Sequence, residues 1–308
     1  DTKYWLWIND RLVVFEGGLK RGASPCGTYY DQVDIAPFLK PGENTFAVLL
    51  WHFGKDGFSH VNSGKAALLF EAVAPGIEIV SDASWECAVS QAYQNTEAPY
   101  PNYRLPESNI RFDARLAQEG WNRSDFSGSL PGATVCCRAN EGPLGQLTPR
   151  PIPLWKDYGL RDYTSQRRAE TGDTLFCRLP YNAQVTPYLK VKAPAGRRIE
   201  MLMDNYEGGT QRNVRAEYIT REGVQEYESF GWMNGHEMRY VLPADVEVLE
   251  VKYRETGYDT DFTGAFHCDD SFYNELWKRA ARTLYITMRD TYMDCPDRER
   301  AQWWGDEV

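Results

Sequence analysis

Ser271-Phe272-Tyr273-Asn274-Glu275-Leu276-Trp277-Lys278-Arg279-Ala280-Ala281-Arg282-Thr283-Leu284-Tyr285 is the stretch at which the periodicity of this chain changes. From Ser271 to Met293 the apolar side chains fall at Phe272, Tyr273, Leu276, Trp277, Ala280, Ala281, Leu284, Tyr285, Met288 and Tyr292, the i, i+3/i+4 spacing of one helix face. Asp269 or Asp270 can cap the start, and Pro296 bars continuation at the far end. A helix of that extent runs about 35 Å at 1.5 Å per residue. Opening abruptly at this point, it predicts the first helix of a separate helical domain, which the residues from Asp294 to Val308 cannot close.

Upstream the period is two. Tyr4-Trp5-Leu6-Trp7-Ile8 and Leu12-Val13-Val14-Phe15 flank Asn9-Asp10-Arg11, a hairpin signal. Lys40-Pro41-Gly42-Glu43-Asn44 is a turn before Thr45 to Trp51, a run suited to a strand covered on both faces. Ala66 to Val73, Ile77 to Val80 and Trp85 to Val89 continue at short spacing, and Ile110 to Arg115 reads as a further strand in a loop-rich stretch. Pro149-Arg150-Pro151-Ile152-Pro153 is a stiff extended segment and marks the first boundary. Beyond it, Leu189 to Lys192 and Arg198 to Met203 flank Ala193-Pro194-Ala195-Gly196 as a hairpin-like unit, and Val246 to Tyr253 alternates like a half-buried strand. The fold class expected is mainly β: two β-sandwich, jelly-roll-like domains over 1–155 and 156–262, then the start of a helical domain over 263–308.

Composition narrows the function classes. Among 308 residues the net charge is −10, with 42% hydrophobic and 14% aromatic side chains. An acidic chain lacks the concentrated Lys and Arg that a polyanion partner needs, so no nucleic acid is expected. No apolar run reaches the roughly twenty residues that span a bilayer. Ten tryptophans and nineteen tyrosines suit a protein that stacks sugars, and they suit aromatic β-sandwich cores equally well. The seven cysteines (26, 87, 136, 137, 177, 268, 295) form no C-x-x-C pair, and buried free thiols are their expected state. Asp1-Thr2-Lys3 enters a strand pattern directly, without initiator Met or signal peptide, so the natural start is expected upstream and localisation stays open.

Asp294-Cys295-Pro296-Asp297-Arg298-Glu299-Arg300-Ala301-Gln302-Trp303-Trp304-Gly305-Asp306-Glu307-Val308 holds the densest set of chemical groups. Glycoside hydrolysis needs one protonated carboxyl to give a proton to the leaving oxygen and a second to act as nucleophile or to activate water. Burial against Trp303 or Trp304 would raise a carboxyl pKa and suit it to the first role. A solvated charged loop, with Asp306 capping a following helix, fits the same residues.

The pattern Asp294-Cys295-Pro296-x-Arg298-Glu299-x-x-Gln302-Trp303-x-Gly305-Asp306 resembles the signature of glycoside hydrolase family 78, the inverting α-L-rhamnosidases. Many members have one more residue between Arg and Glu and read Gly-Trp in place of Gln-Trp, so this chain is similar to the shorter, Gln-Trp branch. Weaker echoes lie at Phe112-Asp113-Ala114-Arg115 and Gly120-Trp121. The resemblance implies β-sandwich modules, the first galactose-binding-like, ahead of an (α/α)6 barrel that begins at the helix. It implies Glu299 as general acid, Asp294, Arg298 and Asp306 on rhamnose hydroxyls, and Trp303 lining the sugar pocket. A glutamate further along the barrel serves that family as base, so the 308 residues by themselves are expected to hydrolyse nothing. The substrate implied is a rhamnose-containing oligosaccharide or glycoside, with no cofactor and no metal; a homodimer stays open.

A carbohydrate-binding or scaffold protein whose sandwiches do the work is the alternative, as is an (α/α)6 glycosidase of other sugar specificity. His267-Cys268-Asp269-Asp270 holds metal-ligand types but reads as a helix cap, and His236-Glu237 has no second His at helical spacing. Trp51, His52, Trp85 and Trp121 could form a sugar platform, though packing is the commoner use of such rings.

Overall fold

The computed structural model describes all residues except 1, 24–26, 63, 65, 100–108, 131–144, 171, 206–213, 304 and 306–308. Its contacts divide the chain into two units, Asp1–Ser90 with Gln118–Leu154, and Gln91–Ala117 with Trp155–Val308.

In the first unit β1 (Thr2–Ile8) and β2 (Arg11–Gly17) form the expected hairpin. Asn9 and Asp10 take φ of 50° and 68°, the left-handed pair that matches the twist of a two-residue turn. The Asn9 side chain also donates to Phe38 O and Asn44 Oδ1 and accepts from Thr45 N, tying the turn to the start of the next strand. After β3 (Gly27–Tyr30), β4 (Phe46–His52) lies on the other edge of β1, with Tyr4 opposite Leu50 and Ile8 opposite Phe46. Leu6, Ile8 and Val14 form this unit's small buried core. β5 (Glu71–Ala74) and β6 (Ile77–Val80) pair across Pro75-Gly76.

Trp85–Val89 does not extend the sheet. Asp82 Oδ1 accepts from both Ser84 N and Ser84 Oγ and folds the chain into an Asx turn instead. Trp51, Trp85 and Trp121 each pack against another ring, Phe53, Phe70 and Trp7 respectively, as packing predicts. Arg150 fixes the Pro149–Pro153 segment: buried, it donates to Gly18 O, Ile152 O and Pro153 O and pairs with Asp31 at 3.3 Å.

The second unit takes in β7 (Tyr93–Asn95) and β8 (Ile110–Asp113), while β9 (Gln146–Pro149) stays with β3 in the first. It continues with β10 (Lys156–Arg161), β11 (Ser165–Arg168), the long β12 (Thr174–Ala193), β13 (Arg198–Met203), β14 (Ala216–Ile219), β15 (Gly223–Glu228), β16 (Met233–Val241) and β17 (Glu247–Gly257). The hydrogen-bonded order β10-β17-β12-β16-β13-β14-β8-β7 passes through β12, whose register against β16 shifts between Arg178 and Ala183, around Pro180. Past that break β12 pairs with β15 and β17. The β14 and β16 rings cover these strands: Tyr218 stacks on Tyr227, and the Tyr240 hydroxyl reaches Tyr188 O and Lys252 O. Between them lies one core, including Leu189, Val191, Ile199, Met201, Met238 and Val251, each worth about 1.5–3 kcal/mol of burial.

Leu189–Lys192 and Arg198–Met203 are not hairpin partners. β13 pairs with β14 and β16, and β12 with other strands. The Ala193–Gly196 connection satisfies its polar groups on Thr220 rather than on itself. Gly196 N donates to Thr220 O, Thr220 Oγ1 donates to Pro194 O, and Arg197 N donates to Thr220 Oγ1. The chain therefore crosses to another part of the sheet instead of folding back.

The helix α1 spans Ser271–Ile286, and Asp270 accepts from Phe272 N as its N-cap. It ends well before Pro296 and short of the expected Met293. Thr287 stops it: its N–H and hydroxyl both donate to Thr283 O and Leu284 O, and Met288 and Tyr292 then bridge across a tight turn. Positions 288 and 292 fit the helical period only because four residues also suffice for that turn. Of the predicted apolar face only Tyr285 is buried, joined by Ile286 from outside that face; Phe272 is 65% exposed and Trp277 44%. No helix among the described residues is long and apolar enough to cross a membrane.

The thiols are mixed. Cys177 is fully buried, which pushes its pKa up to about 12, whereas Cys87 is exposed and Cys268 and Cys295 are half-buried. The expectation of burial therefore fails at Cys87, which follows a turn outside any strand. Cys26, Cys136 and Cys137 lie outside the described residues.

Candidate active site

The α1 exit is fixed to the second unit's own strands. Gln184 Nε2 donates to Ile286 O at 2.6 Å, Arg282 Nε to Asn182 O at 2.6 Å, and Arg282 also pairs with the buried Glu255 at 3.0 Å. Arg289 is buried, donates to Thr256 Oγ1, and lies 4.8 Å from the Trp155 ring and 4.9 Å from the Trp232 ring. Met293 N then donates to Thr287 O, and Asp294 N to Ala301 O, which closes the neck of the loop 294–301.

Inside that loop three predicted residues meet. Glu299 is 6% exposed and takes a close contact from Arg298 Nε at Oε2. Arg298 Nη2 lies 3.6 Å from Asp294 Oδ2, so one guanidinium serves both carboxylates. The Cys295 thiol sits between them, 3.4 Å from Asp294 Oδ2 and 3.8 Å from Glu299 Oε2. Its pKa is raised by burial first and by the Asp294 charge second, so it stays a protonated donor. Arg298 is the exposed member; the Glu299 carboxylate beside it raises its pKa above the ordinary arginine value. Trp303 is 42% exposed. Asp306 and Trp304 lie outside the described residues.

Ligand atoms of Asp294, Cys295 and Glu299 come within 4.8 Å of one another, a spacing a cation could bridge. The Arg298 guanidinium, however, already supplies the positive charge these oxygens face.

Behind the loop is a second layer that carries no local sequence signal. Asp297 accepts from Asn234 Nδ2 at 3.2 Å and from Asn205 Nδ2 at 3.1 Å. Arg300, 3% exposed, donates to Pro296 O and Trp232 O, with its guanidinium carbon 3.5 Å from the centre of the Trp232 ring. It holds a φ of 53°, a left-handed conformation that costs a non-glycine residue about 1–3 kcal/mol and persists only where surrounding contacts impose it. A cavity of about 10 Å³, room for one water, is lined by Met203, Val214, Met233, Asn234, Asp297 and Arg300. It is far too small for a sugar ring.

Burial raises the Asp297 pKa, opposed by the Arg300 charge and the two asparagine hydrogen bonds. With its native value above the unfolded one, the folded state holds the extra proton between the two values. The contribution to stability is therefore complete below the ordinary aspartate pKa and falls as pH rises through the native one. Asp297→Asn is expected to gain stability relative to wild type as pH rises across that window. Melting temperatures from about pH 3 to about pH 8 check it; a gap that widens toward low pH contradicts it.

Residues 261–308 match the family model of the bacterial alpha-L-rhamnosidase 6 hairpin glycosidase domain. An alpha-L-rhamnosidase of Formosa agariphila is 21% identical over 90% of this chain, which spans 31% of that relative's length. The fold is similar to that of the family 78 rhamnosidase of Bacillus sp. GL1, with a TM-score of 0.82 and 16% identity over 99% of this chain and 56% of that one. It is also similar to the alpha-L-rhamnosidase of Dictyoglumus thermophilum, with a TM-score of 0.71 and 19% identity over 98% of this chain and 35% of the other. The likeness to the two solved structures is one of fold, mainly β with one helix near its C-terminal end, and the match to the six-hairpin domain lies in residues 261–308.

Proposed function

We propose that the chain is the N-terminal portion of an inverting α-L-rhamnosidase that removes terminal α-L-rhamnose from glycans or glycosides. The observation that carries this reading is the burial of Glu299 beside Asp294 and Arg298, on the loop matched by the rhamnosidase domain model. Glu299 gives its proton to the glycosidic oxygen. To do so it must carry one, so in the productive complex Arg298 turns from the carboxyl to the sugar hydroxyls, a movement its exposed position allows. Asp294 stands within 4.8 Å of Glu299, too near to be the base of an inverting pair, whose carboxyls stand about 6.5–9.5 Å apart to hold water. Asp294 therefore accepts from sugar hydroxyls, a role given to Asp306 as well, and Trp303 is the apolar wall against the sugar's methyl group.

The test uses the intact protein of which these residues are part, assayed on aryl α-L-rhamnosides against aryl glucosides, galactosides and mannosides. Rhamnoside hydrolysis with β-rhamnose as the first anomer in the NMR spectrum is the expected result. Release of the α anomer, or hydrolysis of another sugar alone, overturns the reading. The 308 residues assayed by themselves are expected to show no turnover.

A further inference from the structure

We propose that Trp232 and Asn234, on the second β-sandwich, are positioning residues that set the place of Glu299. The inference rests on the reading of Glu299 as the acid and extends it to a part of the chain outside the matched helical region. Both act on Glu299 through its neighbours in the chain. Asn234 holds Asp297, two residues before it, through the 3.2 Å hydrogen bond, and Asn205 holds the other oxygen of the same carboxyl. Trp232 holds Arg300, the residue after it, through the 3.0 Å bond to its carbonyl and through its ring. Glu299 is thus fixed from both sides along the backbone, between a loop neck closed at Asp294 and Ala301 and anchors that are themselves buried, Trp232 at 1% and Asn234 at 3% exposure.

The chemistry of these anchors is directional. An apolar contact would let the loop slide over the sandwich, but two amide hydrogen bonds, a guanidinium–carbonyl bond and a cation–π contact specify one register. The Trp232 ring also receives Arg289, so the exit of α1 and the acid's loop share one fixed surface. A proton donor displaced by about 1 Å loses up to about 10²-fold in rate. That loss is largest where the leaving group most needs the proton.

The experiment compares methyl α-L-rhamnoside, a poor leaving group, with 2,4-dinitrophenyl α-L-rhamnoside, a good one, using the full-length protein. Asn234→Ala is expected to lower kcat about 10- to 100-fold on the methyl glycoside and less than about 3-fold on the activated one, with KM within about 2-fold. Should Asn234→Ala not fold, Arg300→Lys, which cannot reach Pro296 O and Trp232 O together, is expected to show the same split. Equal losses on both substrates, or none, overturn the positioning role. Glu299→Gln measured alongside separates the two readings. If it shows the split and Asn234→Ala does not, only the positioning fails; if Glu299→Gln shows none, the acid assignment fails and this inference with it.

Discussion

Glu299→Gln in the intact protein is expected to lower kcat about 10³-fold on natural and alkyl rhamnosides while KM changes only severalfold. General acids contribute about 10²- to 10⁴-fold, and 10³ corresponds to about 4 kcal/mol of transition-state stabilisation. The substitution is close to isosteric. Its amide oxygen still accepts from Arg298, so the buried position is filled and the guanidinium keeps a partner. What disappears is the proton. On the dinitrophenyl rhamnoside, whose leaving group departs without protonation, the loss is expected to shrink to about 10-fold or less. Steady-state kinetics on both substrates, with rhamnose binding followed by calorimetry, make the measurement. Undiminished turnover of the methyl rhamnoside by the Gln variant would reject Glu299 as the acid.

The site was legible where its chemistry is local. Asp294, Arg298 and Glu299 fall within six positions of one another, and their ion pairs form inside that span. The start of α1 was legible for the same reason, since Asp270 caps with its own side chain two residues on. The end of α1 was not. Thr287 turns the chain with hydrogen bonds that any helix interior could have outcompeted, and residues 288 and 292 keep the helical spacing while leaving the helix. Nor were the anchors behind Glu299. Asn234 and Asp297 are 63 residues apart, Trp232 and Arg300 are 68, and neither pair leaves a mark in a window of ten or twenty. β8 illustrates the limit for strands: its run of residues read as a strand, but its parallel pairing with β14 joins segments over a hundred positions apart, and nothing in either announces the other.

That pairing leads to the largest expected effect on stability. Glu217→Ala is expected to destabilise the second unit by about 3 kcal/mol, at the lower end of the 3–5 kcal/mol typical when one partner of a buried ion pair is removed. Arg215, just ahead of β14, is 1% exposed, and Glu217 0%. Glu217 Oε1 accepts from Arg215 Nε at 2.8 Å and lies 2.5 Å from Nη2. Without it the guanidinium remains buried, because Nη1 donates to Pro99 O at 2.9 Å and Nη2 also to Glu97 O at 2.8 Å, carbonyls of the segment between β7 and β8. Glu200, 3.8 Å from Nε, and the Glu97 carboxylate, which the Arg215 charge helps hold below its ordinary pKa, still offset the charge, which places the loss at the lower end of the range. The same guanidinium joins the 91–117 segment to β14, so the loss is expected to loosen β7 and β8 before the rest of the sheet. Urea unfolding with hydrogen exchange at Ile110–Asp113 reads both effects. Arg215→Met combined with Glu217→Leu removes both charges and should cost less than Glu217→Ala alone, since what is expensive is an unpaired buried charge rather than the absence of the pair. A single-variant loss below about 1 kcal/mol, or a double variant worse than the single, contradicts that account.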